Sequence, residues 1–188
     1  MENVELIDDV LVEPIISYSK RHGLTKLYHP NPKIVLQRME LYRGLKILDV
    51  GCGTGVLLYA IAKLIGTCEL HGIDVNENAI RRAQKRASAK IEFRVADAAR
   101  LPFTNDYFDY TICSNAFYYF KNKNRALIEI NRVLKPGGRA LILEGIGRMD
   151  YKQKLDKIMR QSPFIKFSRK FIERTAILQK SYLISAVK

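Results

Sequence analysis

The chain has 188 residues, about one domain's worth. Its 47% hydrophobic and 27% charged residues suit a globular protein with one sizeable core. No apolar run reaches the length that spans a bilayer, since the longest candidate, VLLYAIAKLIG, meets Lys63 after seven apolar residues. Cys52, Cys68 and Cys113 are too few and too scattered for a disulfide framework or a four-ligand zinc site, so no metal is expected. The acidic start MENVELIDD differs from the basic start of a signal peptide, and a cytoplasmic location is expected.

The net charge of +13 is unevenly spread. Residues 1–45 hold 6 Lys/Arg against 6 Asp/Glu, residues 46–145 hold 15 against 10, and residues 146–188 hold 11 against 3. A field of that sign draws anions, so RNA or an anionic surface is a candidate partner for the last quarter; a solvated basic face is the plainer reading.

In chain order, two helices are expected first. One lies near Val4–Lys20, kinked at Pro14 and closed by Gly23; the other is opened by Asn31-Pro32 and stopped at Gly44. Residues 1–45 thus read as a helical N-terminal lid. From Lys46 to Gly145, the core, short apolar runs alternate with helical patterns. KILDV (46–50), CELHGID (68–74), IEFRVAD (91–97), FDYTICSN (108–115) and RALILEG (139–145) read as buried strands. VLLYAIAKLIG, NAIRRAQKRASAK and NRALIEINRVL read as helices. Ile80, Ala83 and Ala87 share a face of the second; Leu127, Ile130, Val133 and Leu134 share one of the third, which Pro136-Gly137-Gly138 ends. This alternation predicts an α/β fold with a doubly wound, Rossmann-like, mostly parallel sheet. Residues 146–188 add a basic amphipathic helix, about Met149–Gln161, with Tyr151, Leu155, Ile158 and Met159 on its apolar side. Two β segments joined near Gln179–Ser181 follow, an antiparallel pair at the edge of the sheet. Residues 1–188 read as a single domain.

Leu48–Gly55, LDVGCGTG, is a strand running into a glycine turn at the end of the first strand, where open α/β sheets bind ligands. Asp74 ends the second strand, 19 residues after Gly55. A carboxylate there can accept from both hydroxyls of an adenosine ribose. The dinucleotide fingerprint G-x-G-x-x-G/A needs Gly or Ala at position 56, and Val56 stands there.

The G-x-G-x-G spacing preceded by Asp49 instead resembles the first motif of class I S-adenosylmethionine (SAM) methyltransferases. HGIDVNENAI (71–80) resembles their second motif, VADAARLPFTNDYFDYTICSNAFYY (95–119) their third-strand end, linker and fourth strand, and RVLKPGG (132–138) the turn into their fifth. The nearest subgroup is the small methyltransferases similar to ubiquinone/menaquinone-pathway enzymes. The resemblance implies SAM as cofactor, with Asp49, Gly51, Cys52, Gly53 and Gly55 at its methionine end. It further implies Asp74 on the ribose, Val75 against the adenine, Asp97 and the Ala98 N–H at the adenine amino edge, and Ser114 and Asn115 near the sulfonium.

A sulfonium methyl is already activated, so transfer depends mainly on positioning, and a base is needed only for a nucleophile that cannot lose its own proton. No catalytic constellation stands out. His71 reads as structural and His22 as exposed, while His29, beside Tyr28, could face the cofactor mouth; His29, Ser114 and Asn115 are the catalytic candidates. Of Phe117, Tyr118, Tyr119 and Phe120, two are expected to pack beneath the next helix and the others to wall the acceptor. The N-P-P-Y signature of amino-group nucleic-acid methyltransferases is absent, with SNAF in its place. Three readings stay open: a methyltransferase for a small molecule, the favoured acceptor; one for RNA or a ribosomal protein; and a non-catalytic SAM-binding or partner-binding module.

Overall fold

The computed structural model describes residues 35–40, 42–64, 67–86, 91–145, 149–172 and 181–188. The helix expected at 4–20, the start of the second at Asn31, Ala87, Tyr28, His22, His29 and most of the turn near Gln179 lie outside the described residues.

Seven strands form one sheet: β1 (Lys46–Val50), β2 (Glu69–Asp74), β3 (Ile91–Val95), β4 (Phe108–Ser114), β5 (Leu134–Gly145), β6 (Lys166–Ile172) and β7 (Ser181–Val187). Their order is β3-β2-β1-β4-β5-β7-β6. β1 to β5 pair in parallel, while β7 lies antiparallel between β5 and β6. The first four connections are crossovers, and α1 (Val56–Leu64), α2 (Glu77–Arg86) and α3 (Lys123–Val133) make three of them. α4 (Met149–Arg160) follows β5.

The helices divide between the two faces. Leu57, Leu58 and Ile61 of α1 and Ile80 and Ala83 of α2 join one core cluster with Ile47, Leu70, Leu141 and Leu183. Ala126, Leu127, Ile130 and Val133 of α3 and Leu155 and Met159 of α4 join the other with Leu48, Val50, Ile142 and Ile184. Strand residues of alternating parity thus feed opposite cores, which explains why the central strands are apolar without a break.

Three local expectations need correcting. The helix expected to run to Gly44 is helical at residues 35–36 and then turns through Arg38 N–H to Val35 O (3.0 Å) and Met39 N–H to Leu36 O (3.1 Å). The Glu40 N–H donates to the Tyr110 hydroxyl at 2.9 Å, so a tertiary partner takes the place of the next helical carbonyl. β5 begins at Leu134 rather than 139, because the chain leaves α3 in extended geometry and pairs Leu134 with Phe108; the register resumes at Arg139 opposite Tyr110. Asp97 and Asn115 lie just past their strands. Ala96 N–H closes β3 onto Asp74 O (3.1 Å), and Asn115 has φ of 53°, which a strand does not accommodate.

Candidate functional site

The strand order reverses between β1 and β4, and the glycine loop leaves β1 at that crevice. Gly51 N–H and Cys52 N–H both donate to Ile73 O, at 2.8 and 2.9 Å, which ties the loop to the end of β2. Gly51 has φ of 80°, and a Cβ there would collide with Ala116, so the loop and the segment after β4 approach as closely as backbone allows. Gly55, with φ of 76°, is pressed against Phe93 of β3.

A cavity of about 530 Å³ opens at the carboxyl ends of β1, β2 and β4 and beside the segment after β3. Its lining includes Asp49, Gly51, Cys52, Gly53, Asp74, Val75, Asp97, Ala98, Ser114 and Asn115. The structure therefore brings these ten sequence candidates together, from four separate strand ends. Gly55 is the exception: it does not line the cavity, and its lack of a side chain serves packing against Phe93 instead. His29 lies outside the described residues. His71 sits low in β2, its Nε2 2.8 Å from Glu69 Oε1, with Phe103 and Phe108 edge-on to its ring; this is the surrounding of a structural histidine.

The carboxylates differ in setting. Asp49 is buried, and that burial, together with the charge of Asp74, pushes its carboxyl up to about 8. Asp74 Oδ2 accepts from Gly53 N–H (2.9 Å) and Oδ1 from Asn76 N–H (2.8 Å). Each carboxylate oxygen has about two lone-pair sites, so both keep room for a ligand donor. Asp97 Oδ1 accepts from Ala99 N–H (2.8 Å), which makes it a loop cap as well as a lining residue. Val75 is 69% exposed, an apolar side chain held open at the rim. Ala98, by contrast, is buried. Burial raises the thiols of Cys52 and Cys113, so the folded chain disfavours their thiolates.

On the β4 side the wall is a short 3₁₀ turn, Phe117–Tyr119. Phe117 is core, Phe120 is partly buried against it, and Tyr118 and Tyr119 are exposed. Tyr119, Phe120 and Lys121 line the cavity. Ser114 Oγ is buried there with no hydrogen-bond partner among the described residues. The sequence reading passed over Lys121 and the buried Glu144 under this turn. Glu144 had a signal, being one acid inside the apolar run ALILEG. Lys121 had none, since a lysine before a helix N-cap is ordinary.

A mostly parallel, doubly wound sheet with a ligand cavity at its switch point defines a Rossmann-like α/β protein. The family model of the methyltransferase domain matches residues 41–180. The chain belongs to that family, and its fold is the one found in SAM-dependent methyltransferases. It is 41% identical over 111 residues to the ubiquinone/menaquinone biosynthesis C-methyltransferase UbiE of Bordetella parapertussis, covering 57% of this chain and 43% of that one. It is 37% identical over 115 residues to the demethylmenaquinone methyltransferase of Staphylococcus aureus, covering 60% and 48%. The matched region is thus less than half the length of these curated relatives. Among solved structures, a SAM-dependent methyltransferase from Aquifex aeolicus superposes with a TM-score of 0.73 at 19% identity, covering 93% of this chain and 97% of that one. The cyclase SpnF superposes with a TM-score of 0.76 at 20% identity, covering 95% and 93%. Among the described residues, no helix is long and apolar enough to cross a membrane.

Proposed function

We propose that the chain is a SAM-dependent methyltransferase that methylates a flat, quinol-type small molecule. The observation that carries this reading is the convergence of Asp49, Asp74 and Asp97 on one cavity with the glycine loop. SAM fits that donor set. Asp74 keeps acceptor capacity for two ribose hydroxyls, Asp97 for an exocyclic amine, and buried Asp49 gains a counter-charge when an ammonium group enters. Val75 offers an open apolar surface to a purine face, and Ala98 lines the same cavity. When bound, SAM supplies an activated methyl group, and the chain's task is then to hold an acceptor in line and keep water out. Tyr119 and Phe120 provide an aromatic wall beside Ser114 and Asn115 for that purpose. No base is assigned. The names of the UbiE and demethylmenaquinone relatives favour a quinone-type ring as acceptor.

The RNA reading receives no support from these relatives. In addition, the groove lined by Arg139, Arg160 and Lys166 lies at the amino end of β5, opposite the cavity. A second reading, SAM binding without methyl transfer, draws on the cyclase that shares the fold, since fold does not fix chemistry. A cytoplasmic location accords with three free, buried thiols.

The deciding experiment incubates the full chain with methyl-labelled SAM and short-chain demethylmenaquinol and follows label into the organic extract. Transfer is expected, and Asp74→Ala should weaken SAM binding about 10- to 100-fold through lost charge-assisted hydrogen bonds. Binding of SAM without transfer of label would favour the second reading. Unchanged SAM affinity in the variant would sink the site assignment.

A further inference from the structure

Glu144 is a fully enclosed carboxylate that the proposed cofactor site does not use; it is 3% exposed and does not line the cavity. Strand alternation places it on the same face of β5 as Ala140 and Ile142, one residue before the strand ends, directly beneath the Phe117–Tyr119 turn. Its Oε1 accepts from Phe117 N–H at 2.8 Å, and the backbone of the same turn pulls its carboxyl pKa down against the larger upward push of burial. Asn115 completes the clasp. It donates from its N–H to Leu143 O (2.7 Å) and accepts at Oδ1 from Gly145 N–H (3.0 Å). The end of β5 therefore grips the post-β4 segment at residues on either side of Glu144 and through Glu144 itself.

The gripped segment is the acceptor-side wall. Ala116, Tyr119, Phe120 and Lys121 all line the cavity, and Ala116 abuts the glycine loop at Gly51. Burying a carboxylate for fold stability alone is a poor bargain, because an apolar side chain of similar volume is often neutral or stabilising in its place. Burial pushes the Glu144 carboxyl up to about 7, and in either protonation state it does one thing leucine cannot: it offers a carbonyl oxygen to an N–H of the turn above it.

We propose that Glu144 is the positioning residue of the acceptor wall. It fixes the backbone of residues 116–118 so that Tyr119, Phe120 and Lys121 hold the acceptor, and it touches neither acceptor nor cofactor. The kinetic arm of the test rests on the methyl-transfer reading; the exchange arm does not.

Glu144→Leu, Glu144→Asp and Glu144→Gln are compared in the full chain by amide hydrogen exchange, SAM calorimetry and turnover of short-chain demethylmenaquinol at saturating SAM. Leucine removes the acceptor and aspartate withdraws it by one methylene, whereas glutamine keeps one carbonyl oxygen in reach. Exchange protection at residues 116–118 should collapse in the leucine and aspartate variants and survive in the glutamine variant. The acceptor KM should rise about tenfold or more in the first two and stay within about threefold in the third, with SAM affinity within about twofold throughout. Unchanged protection in Glu144→Asp would overturn the proposal. So would a loss of SAM affinity equal to the loss of acceptor affinity, or a glutamine variant no better than leucine. Should the leucine variant not fold, the aspartate and glutamine pair decides. If the wild-type chain leaves the quinol probe unmethylated, the acceptor reading fails, and the exchange result alone decides Glu144.

Discussion

Under the proposed function, Asp49 is the residue at which proton and cofactor are most directly linked. Its folded-state carboxyl lies near 8, against an ordinary value of 3.8, because it is buried beside Asp74. A raised acid is protonated in the folded chain while still ionised in the unfolded one, so its contribution to stability is full below 3.8 and falls as pH rises to about 8. Binding of a cationic ligand works the other way, since it favours the carboxylate and expels the proton. Affinity for SAM should therefore rise between about pH 6 and 7.5, by at most tenfold per unit. Calorimetry in buffers of different ionisation enthalpy should register proton release, and Asp49→Asn should abolish it. A pH-independent affinity would mean that Asp49 does not meet the cationic end of the ligand.

Elements are held in place by a small number of buried polar joints. The loop from Ala98 to Tyr107 has no regular structure, yet it crosses from β3 to β4 and carries the cavity edge at Ala98. α3 fastens it. Glu129, 4% exposed, accepts from Leu101 N–H at 2.9 Å and from Arg132 Nη2 at 2.7 Å, while Arg132 donates onward to Leu101 O (3.0 Å) and Phe103 O (2.8 Å). Arg132 holds the Glu129 carboxyl below the usual range, helped by the Leu101 N–H. A depressed acid stabilises the fold above its unfolded pKa and loses that contribution as pH falls through its folded value. Glu129→Ala takes the acceptor from the buried Leu101 N–H and one charged partner from Arg132, which keeps its carbonyl contacts, and should cost about 1–3 kcal/mol. Urea denaturation checks this. A loss below about 1 kcal/mol would show that the clamp is solvated rather than structural.

At the scale of the whole molecule, the parallel strands place the cavity at one end of the sheet and the Arg139–Arg160–Lys166 groove at the other. SAM at a hundred times its Kd should stabilise the fold by about 2.7 kcal/mol, a rise in Tm of about 5–10 °C for a chain of this size. NADH at the same concentration should leave Tm unchanged. Scanning calorimetry makes the comparison, and equal shifts with both ligands would contradict the adenosyl-sulfonium reading.

The sequence by itself determined the strand–helix alternation, the glycine loop with its partner Asp74, and the antiparallel pair at the end. Each of these follows from local pattern: period-two and period-3.6 apolar spacing, glycine torsions and turn residues. Tertiary structure decided what depends on neighbours distant in the chain. Gly55 resembled a ligand-facing glycine in the sequence, but it serves Phe93, which is 38 positions away. The second helix ended early because Tyr110 claimed the Glu40 N–H, and β5 began early because Phe108 offered Leu134 a pairing edge. Glu144 is one acid in an apolar strand, and only the tertiary structure brings the Phe117 N–H above it as a donor. Pattern along the chain fixes which face a side chain takes, whereas its partner is chosen by packing between segments that the sequence holds far apart.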